Sequence, residues 1–136
     1  GCWVVRIAIV ADLGQRAYHV GDEAIGLAAA RQLAQRGAEV SLVAHDPRLI
    51  DPALRQHPVL SMPAIPWDPS ERLALLAAVR QGSRTRAGRR AFSDPGIAAL
   101  REGLRTVDRV HIAGGGNHTS LYGWLLIERA IVVALA

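Results

Sequence analysis

The chain contains no lysine; all sixteen of its basic side chains are arginine. It has one cysteine, Cys2, so no intrachain disulfide can form and a cysteine-based metal site is excluded. Phe, Trp and Tyr make up only 4% of the 136 residues, so a core must be assembled mainly from Ala, Val, Leu and Ile. Long uninterrupted apolar runs are also missing. Gly1–Leu13 carries Arg6 and lacks a basic leader and a cleavage site, which makes it a buried strand and not a signal peptide. Trp124–Ala136 is interrupted by Glu128 and Arg129 and is too short to span a bilayer. No transmembrane segment is expected, and a reducing cytoplasm is the compartment that fits.

Several catalytic signatures are absent as well. No Gly-Lys-Ser/Thr occurs, which excludes a P-loop, and there is no G-x-S-x-G nucleophile elbow. His19, His45, His57, His111 and His118 do not fall at metal-ligand spacing, so no metal site is expected. A dinucleotide fingerprint needs G-x-G-x-x-G directly after the first strand, where this chain has only Gly14 and Gly21. Asp46, at the end of the second strand, does stand where a ribose-binding acid would. The formal charge of +4 would suit an anionic ligand, and Arg is the fork-shaped donor for phosphate and carboxylate. An Arg-only, Ala-rich composition also follows from a GC-rich coding sequence, so charge alone selects no partner.

What is present is an alternation of strands and helices. Half the residues are hydrophobic, enough for a core. Val4–Val10 is an apolar, β-branched run suited to a strand covered on both faces. Asp22–Arg36 has Ile25, Ala28, Ala29 and Leu33 at helical spacing and is ended by Gly37. Glu39–Ala44 is a second strand, and Val59–Ile65 a third whose Pro63 places it at an edge. Pro69 to about Arg80 and Asp94-Pro95 to about Arg105 read as helices, with the Arg-rich Gln81–Arg90 between them as an exposed loop. That segment has no interleaved aromatics for base stacking, and nucleic acid is not an expected partner. Val107–Ala113 is the next strand, with His111 packed in it, and a last helix runs through the C-terminus.

This order predicts an α/β fold: one Rossmann-like domain over residues 1–136, doubly wound, mainly parallel, with helices on both faces. The first three strands extend in one direction, and Val107–Ala113 lies on the other side of the first. Ligands in such sheets bind beyond the carboxyl ends of strands where the order reverses. The loops meeting there are Ala11–Asp22 and Gly114–His118. In the first, Gly21 permits close backbone approach, while Asp22 and Glu23 at a helix start suit a hydroxyl-bearing ligand better than a phosphate. His19 lies three residues before Asp22. In the second, Gly114, Gly115 and Gly116 allow something to come close, and Asn117 and His118 are placed to orient or polarise it.

At these two loops the chain resembles the polysaccharide pyruvyl transferase family. The matching residues are Val20-Gly21-Asp22-Glu23-Ala24-Ile25 and Ala113-Gly114-Gly115-Gly116-Asn117, followed by Thr119-Ser120-Leu121-Tyr122. Family members often have Asn ahead of Gly-Asp, where this chain has His19-Val20. The resemblance covers essentially the whole chain and the N-terminal half of a typical member. It implies one half of a two-domain, GT-B-like architecture with the active site in the interdomain cleft. The implied activity is transfer of the enolpyruvyl-derived group of phosphoenolpyruvate to a sugar hydroxyl of a cell-envelope polysaccharide, with no cofactor. His19, Gly21, Asp22, Glu23, Gly114, Gly115, Gly116 and Asn117 would line the acceptor side, and His118 is a candidate catalytic residue. The His and Arg residues that hold phosphoenolpyruvate would lie in a second domain. The chain ends on Ala-Leu-Ala without the strand its last helix should lead to, so it is expected to continue and to be inactive alone. The expected partners are phosphoenolpyruvate, a sugar acceptor and, as a homo-oligomer, a further copy of the chain. Two alternatives stand beside this: the acceptor-binding domain of a GT-B nucleotide-sugar glycosyltransferase, and an NAD- or nucleotide-binding Rossmann module using Asp46.

Overall fold

The computed structural model describes residues 3–15, 20–113 and 123–136. The chain divides into two compact units, Gly1–Met62 with Arg105–Gly115, and Pro63–Leu104 with Gly116–Ala136. The first unit holds the sheet. Its strands are β1 (Arg6–Val10), β2 (Glu39–Ala44), β3 (Val59–Ser61) and β4 (Arg109–Ile112), all parallel, in the order β3-β2-β1-β4. The reversal of direction after β3 places β1 between β2 and β4, the arrangement the strand pattern predicts and one compatible with a Rossmann-like fold. β3 is shorter than the expected Val59–Ile65 and does lie at an edge.

Helix α1 (Val20–Gln35) packs on β1 and β2. Its buried stripe consists of Glu23, Gly26 and Ala30 at helical spacing. Gly26 and Ala30 are small because the helix lies close: a Cβ built on Gly26 would come within 2.8 Å of Leu13 Cδ2. Ile9, Leu42, Leu13, Leu54 and Ile50 complete this aliphatic core, as the scarcity of aromatics requires. Gly37, at φ +87°, ends the helix, and Ala38 N–H returns to the Leu33 carbonyl at 3.1 Å. His111 is exposed and not packed in the core as expected. It stands in register with Ile9 but on the edge strand β4, whereas α1 packs on β1 and β2.

Arg6 and Asp108 tie the starts of β1 and β4 together. Asp108 N–H donates to the Arg6 carbonyl at 2.8 Å, and Arg6 N–H donates to Asp108 Oδ2 at 2.9 Å. The Arg6 guanidinium adds Nη2 to Oδ1 at 3.3 Å. These bonds, the backbone one foremost, hold the Asp108 carboxyl below the usual carboxylate range.

The second unit is helical in the described residues: α2 (Pro69–Gln81), α3 (Arg86–Phe92), α4 (Pro95–Leu104) and α5 (Gly123–Leu135). Asp94 Oδ1 accepts from Ile97 N–H at 3.0 Å and caps α4, whose first residue is Pro95. Helix α2 packs on α5, where Arg72 Nη1 meets Glu128 Oε2 at 3.5 Å, both side chains buried. The expected loop over Gln81–Arg90 is instead a 3-10 turn at Gly82–Arg84 followed by α3. Thr85 Oγ1 accepts from Gly88 N–H at 3.0 Å, a side-chain cap that polarity alone does not reveal. Gly88 presses on the Gly82 carbonyl, with no room for a Cβ. No helix among the described residues is long and apolar enough to cross a membrane.

A carboxylate with a lowered folded-state pKa contributes stability above its unfolded pKa and loses it as pH falls through the folded value. Asp108→Asn should therefore lower stability at neutral pH, with a deficit that shrinks as the pH drops below about 4. Denaturant unfolding across pH checks this; a deficit unchanged in acid would contradict it.

Candidate functional site

Beyond Val10 the chain does not leave the sheet edge at once. Leu13 N–H donates to the Ala11 carbonyl at 2.7 Å, forming a tight turn. The Leu13 and Gly14 carbonyls then accept from the backbone N–H groups of His45 and Asp46, at 3.0 and 3.1 Å. The loops after β1 and β2 thus stay joined past the carboxyl edge. Gly14 has φ +69°, and a Cβ there would overlap the Asp46 carbonyl. Both its dihedral and its neighbour require glycine.

Glu23 completes this arrangement from the first turns of α1. Its Oε1 accepts from Gly14 N–H at 3.0 Å and its Oε2 from Asp51 N–H at 3.4 Å. The residue is only 4% exposed. Buried backbone donors need partners, and one carboxylate near a helix N-terminus serves two loops. Asp51 in turn caps the 3-10 turn Pro52–Leu54 by accepting from Ala53 N–H at 2.8 Å. On the other side of β1, Ala113 N–H donates to the Val10 carbonyl at 2.9 Å. The residue preceding Gly114 therefore stands beside the end of β1.

Of the sequence-derived site residues, the structure joins Glu23 to the loop network in a holding role. Gly21 lies exposed in α1, and a Cβ built on it would meet nothing within 4 Å among the described residues. Helix α1 starts at Val20, two residues before the expected start at Asp22, so Asp22 falls inside the first turn. The Asp22 side chain lies outside the described set, as do His19, Gly114, Gly115, Gly116, Asn117 and His118. Asp46, the ribose-acid candidate, is engaged by its own loop: Oδ1 accepts from Arg48 N–H and Nε at 3.0 and 3.1 Å, and Oδ2 from Nη2 at 3.0 Å.

Two residues at this edge escape the sequence reading. Asp12, a polar residue two positions past β1, is buried, and Gly14 forms the contact with Asp46. The available signal is the Asp-Leu-Gly run directly after a strand. Asp12, Glu23, Asp46 and Asp51 gather carboxylates at this edge, although both oxygens of Glu23 and of Asp46 already accept hydrogen bonds and Arg48 is committed to Asp46. Such an edge favours donors such as hydroxyl groups over free anions. Among the described residues no group of three His, Cys, Asp or Glu side chains is placed to hold a metal ion.

Replacing Glu23 by Gln leaves one acceptor oxygen and turns an NH2 group toward the other backbone N–H. The expected cost is about 1–3 kcal/mol, the penalty for a buried unsatisfied donor. Gly14→Ala should cost at least about 1–2 kcal/mol from the left-handed dihedral alone. Urea unfolding measures both; wild-type stability in either variant would contradict the network. Compared with protein-family models, curated proteins and solved structures, the chain matches none.

Proposed function

We propose that the chain forms the N-terminal, acceptor-facing half of a pyruvyl transferase-like enzyme of GT-B-like architecture, which moves the pyruvyl group of phosphoenolpyruvate onto a sugar of a cell-envelope polysaccharide. The observation that carries it is the adjacency of β1 and β4. It sets Val10 and Ala113, which precede the motif-bearing segments 11–22 and 114–118, side by side at one end of the sheet. The carboxylates at this edge agree with a hydroxyl-bearing acceptor, and among the described residues nothing lies within 4 Å of a Cβ built on Gly21. Asp46, bound to Arg48, is not poised to take a ribose, which disfavours the NAD-binding alternative.

The reaction balances without a redox partner. The methylene carbon of phosphoenolpyruvate gains one proton, two sugar hydroxyl oxygens bond to C2 as they lose theirs, and the C2–O bond to the phosphorus-bearing oxygen breaks, so that phosphate leaves with the second proton. In this proposal Asp22 and the loop held by Glu23 orient the hydroxyls, and His118 is the candidate proton donor. Phosphoenolpyruvate itself would be held by a second half beyond this chain.

The test uses a protein containing this chain together with such a second half, given phosphoenolpyruvate and a panel of acceptor glycans. Glycan-dependent phosphate release is expected. Gly21→Ala should leave folding intact, since Ala is favoured in helices by about 0.5–1 kcal/mol. It should nevertheless lower kcat/KM about tenfold by crowding the acceptor, a barrier change of roughly 1.4 kcal/mol. Absence of phosphate release across the panel would contradict the proposal. Thermal stabilisation by UDP- or GDP-sugars but not by phosphoenolpyruvate would favour nucleotide-sugar glycosyl transfer instead.

A further inference from the structure

The opposite, amino edge of the same sheet carries a cleft of about 480 Å³, within the first compact unit. That volume falls in the range of about 300–1,000 Å³ typical of small-molecule sites. Its polar lining comes from Thr106, which has an interaction of its own, and from four further groups, Arg6, Glu39, Ser41 and His57, and its apolar walls include Ala38, Pro58 and Val107. Arg6 and Glu39 are register partners on β1 and β2, and Ser41 follows Glu39 on the same face of β2. The five residues of β1, at about 3.3 Å each, separate this cleft from the carboxyl edge by roughly 15 Å.

The four polar groups share one property. Arg6 gives Nε and Nη2 to Asp108, which leaves Nη1 without a partner among the described residues. His57 Nε2 is buried and has no hydrogen-bond partner. No bond within the described residues engages the Glu39 carboxylate or the Ser41 hydroxyl either. The penalty for a buried unsatisfied atom falls on His57 Nε2, so a ligand that bonds to it gains there, while the more exposed Arg6, Glu39 and Ser41 offer open hydrogen-bonding positions around it.

Their chemistry narrows the ligand. Arg6 only donates, Glu39 only accepts, and Ser41 and His57 can do either. The formal charges at the cleft are Arg6 against Glu39 and Asp108, so an anion finds no net attraction there. Hydroxyl groups, each a donor and an acceptor, satisfy all four, while the apolar walls suit the C–H surface of a sugar ring. Ala38 is shared with a smaller groove of about 240 Å³ whose lining includes Trp3, a residue 95% exposed.

We infer that this amino-edge cleft binds a neutral polyhydroxylated ligand of mono- or disaccharide size, through Arg6, Glu39, Ser41 and His57. It is a second site, separate from the carboxyl-edge site, and it does not depend on the proposed reaction.

The test is NMR titration of the 136-residue chain with glucose, galactose, mannose and lactose, and in parallel with inorganic phosphate. At least one sugar should shift the amides of Arg6, Glu39, Ser41 and His57 saturably at millimolar concentration. Glu39→Gln and Ser41→Ala, each checked for an unchanged fold by its spectrum, should weaken that binding about tenfold, the loss of roughly one good hydrogen bond. Three results would overturn the inference: no saturable shift with any of the sugars, shifts confined to the carboxyl edge, or phosphate binding in the cleft while the sugars do not. Because the readout is binding at the amino edge, a failure here is distinguishable from a failure of pyruvyl transfer.

Discussion

Parallel pairing on both sides of β1 is the constraint from which the site follows. A parallel neighbour cannot be reached by a hairpin, so each partner of β1 must be delivered by a crossover that returns the chain to the amino edge. The crossover to β2 is α1 itself, whose first turns sit at the carboxyl edge of β1. The other partner, β4, arrives after the helices α2, α3 and α4. Its carboxyl end is thereby set beside that of β1, and residue 113 is bonded to Val10. Val10 and Ala113, far apart in the chain, end their strands as neighbours for this topological reason.

Glu23 and Gly14 convert that topology into a defined surface. Without a partner, the N–H groups of Gly14 and Asp51 would be buried and unsatisfied; the Glu23 carboxylate accepts from both. Gly14 lets the loop after β1 lie against the carbonyl of Asp46, closer than any side chain allows. The loops of the first compact unit are thus hydrogen-bonded together at its carboxyl edge, while the Arg6–Asp108 pair performs a comparable fastening at the amino edge.

The features legible in the sequence are those dictated by local chemistry. The β-branched run ending at Val10, Gly37 after α1, Pro63 beyond a short edge strand and Asp94-Pro95 at the start of α4 each carry their own signal, and the strand order follows from alternation. Features that depend on a partner distant in sequence, or on a particular side-chain bond, are hidden. The segment Arg80–Arg90 is polar enough to look like a loop, yet the Thr85 cap and the seat of Gly88 on Gly82 make most of it helical. His111 sits in an apolar run but on an edge strand, so its surroundings and not its neighbours in sequence decide its exposure. Glu23 reads as an exposed acid at a helix start, and its burial becomes evident only when the loops of Gly14 and Asp51 are in place. Much of the candidate site, including His19 and Gly114 to His118, rests on motif and topology together.

A distance measurement between the two motif-bearing loops addresses the central claim most directly. With Cys2 replaced by Ser, spin labels attached at Gly21→Cys and Asn117→Cys report that separation by pulsed electron resonance. Neighbouring strands lie about 4.8 Å apart, so with the label arms a narrow distribution at roughly 10–20 Å is expected. A distribution centred on the order of 30 Å or beyond, more than the sheet's neighbouring ends can span, would contradict a shared crevice.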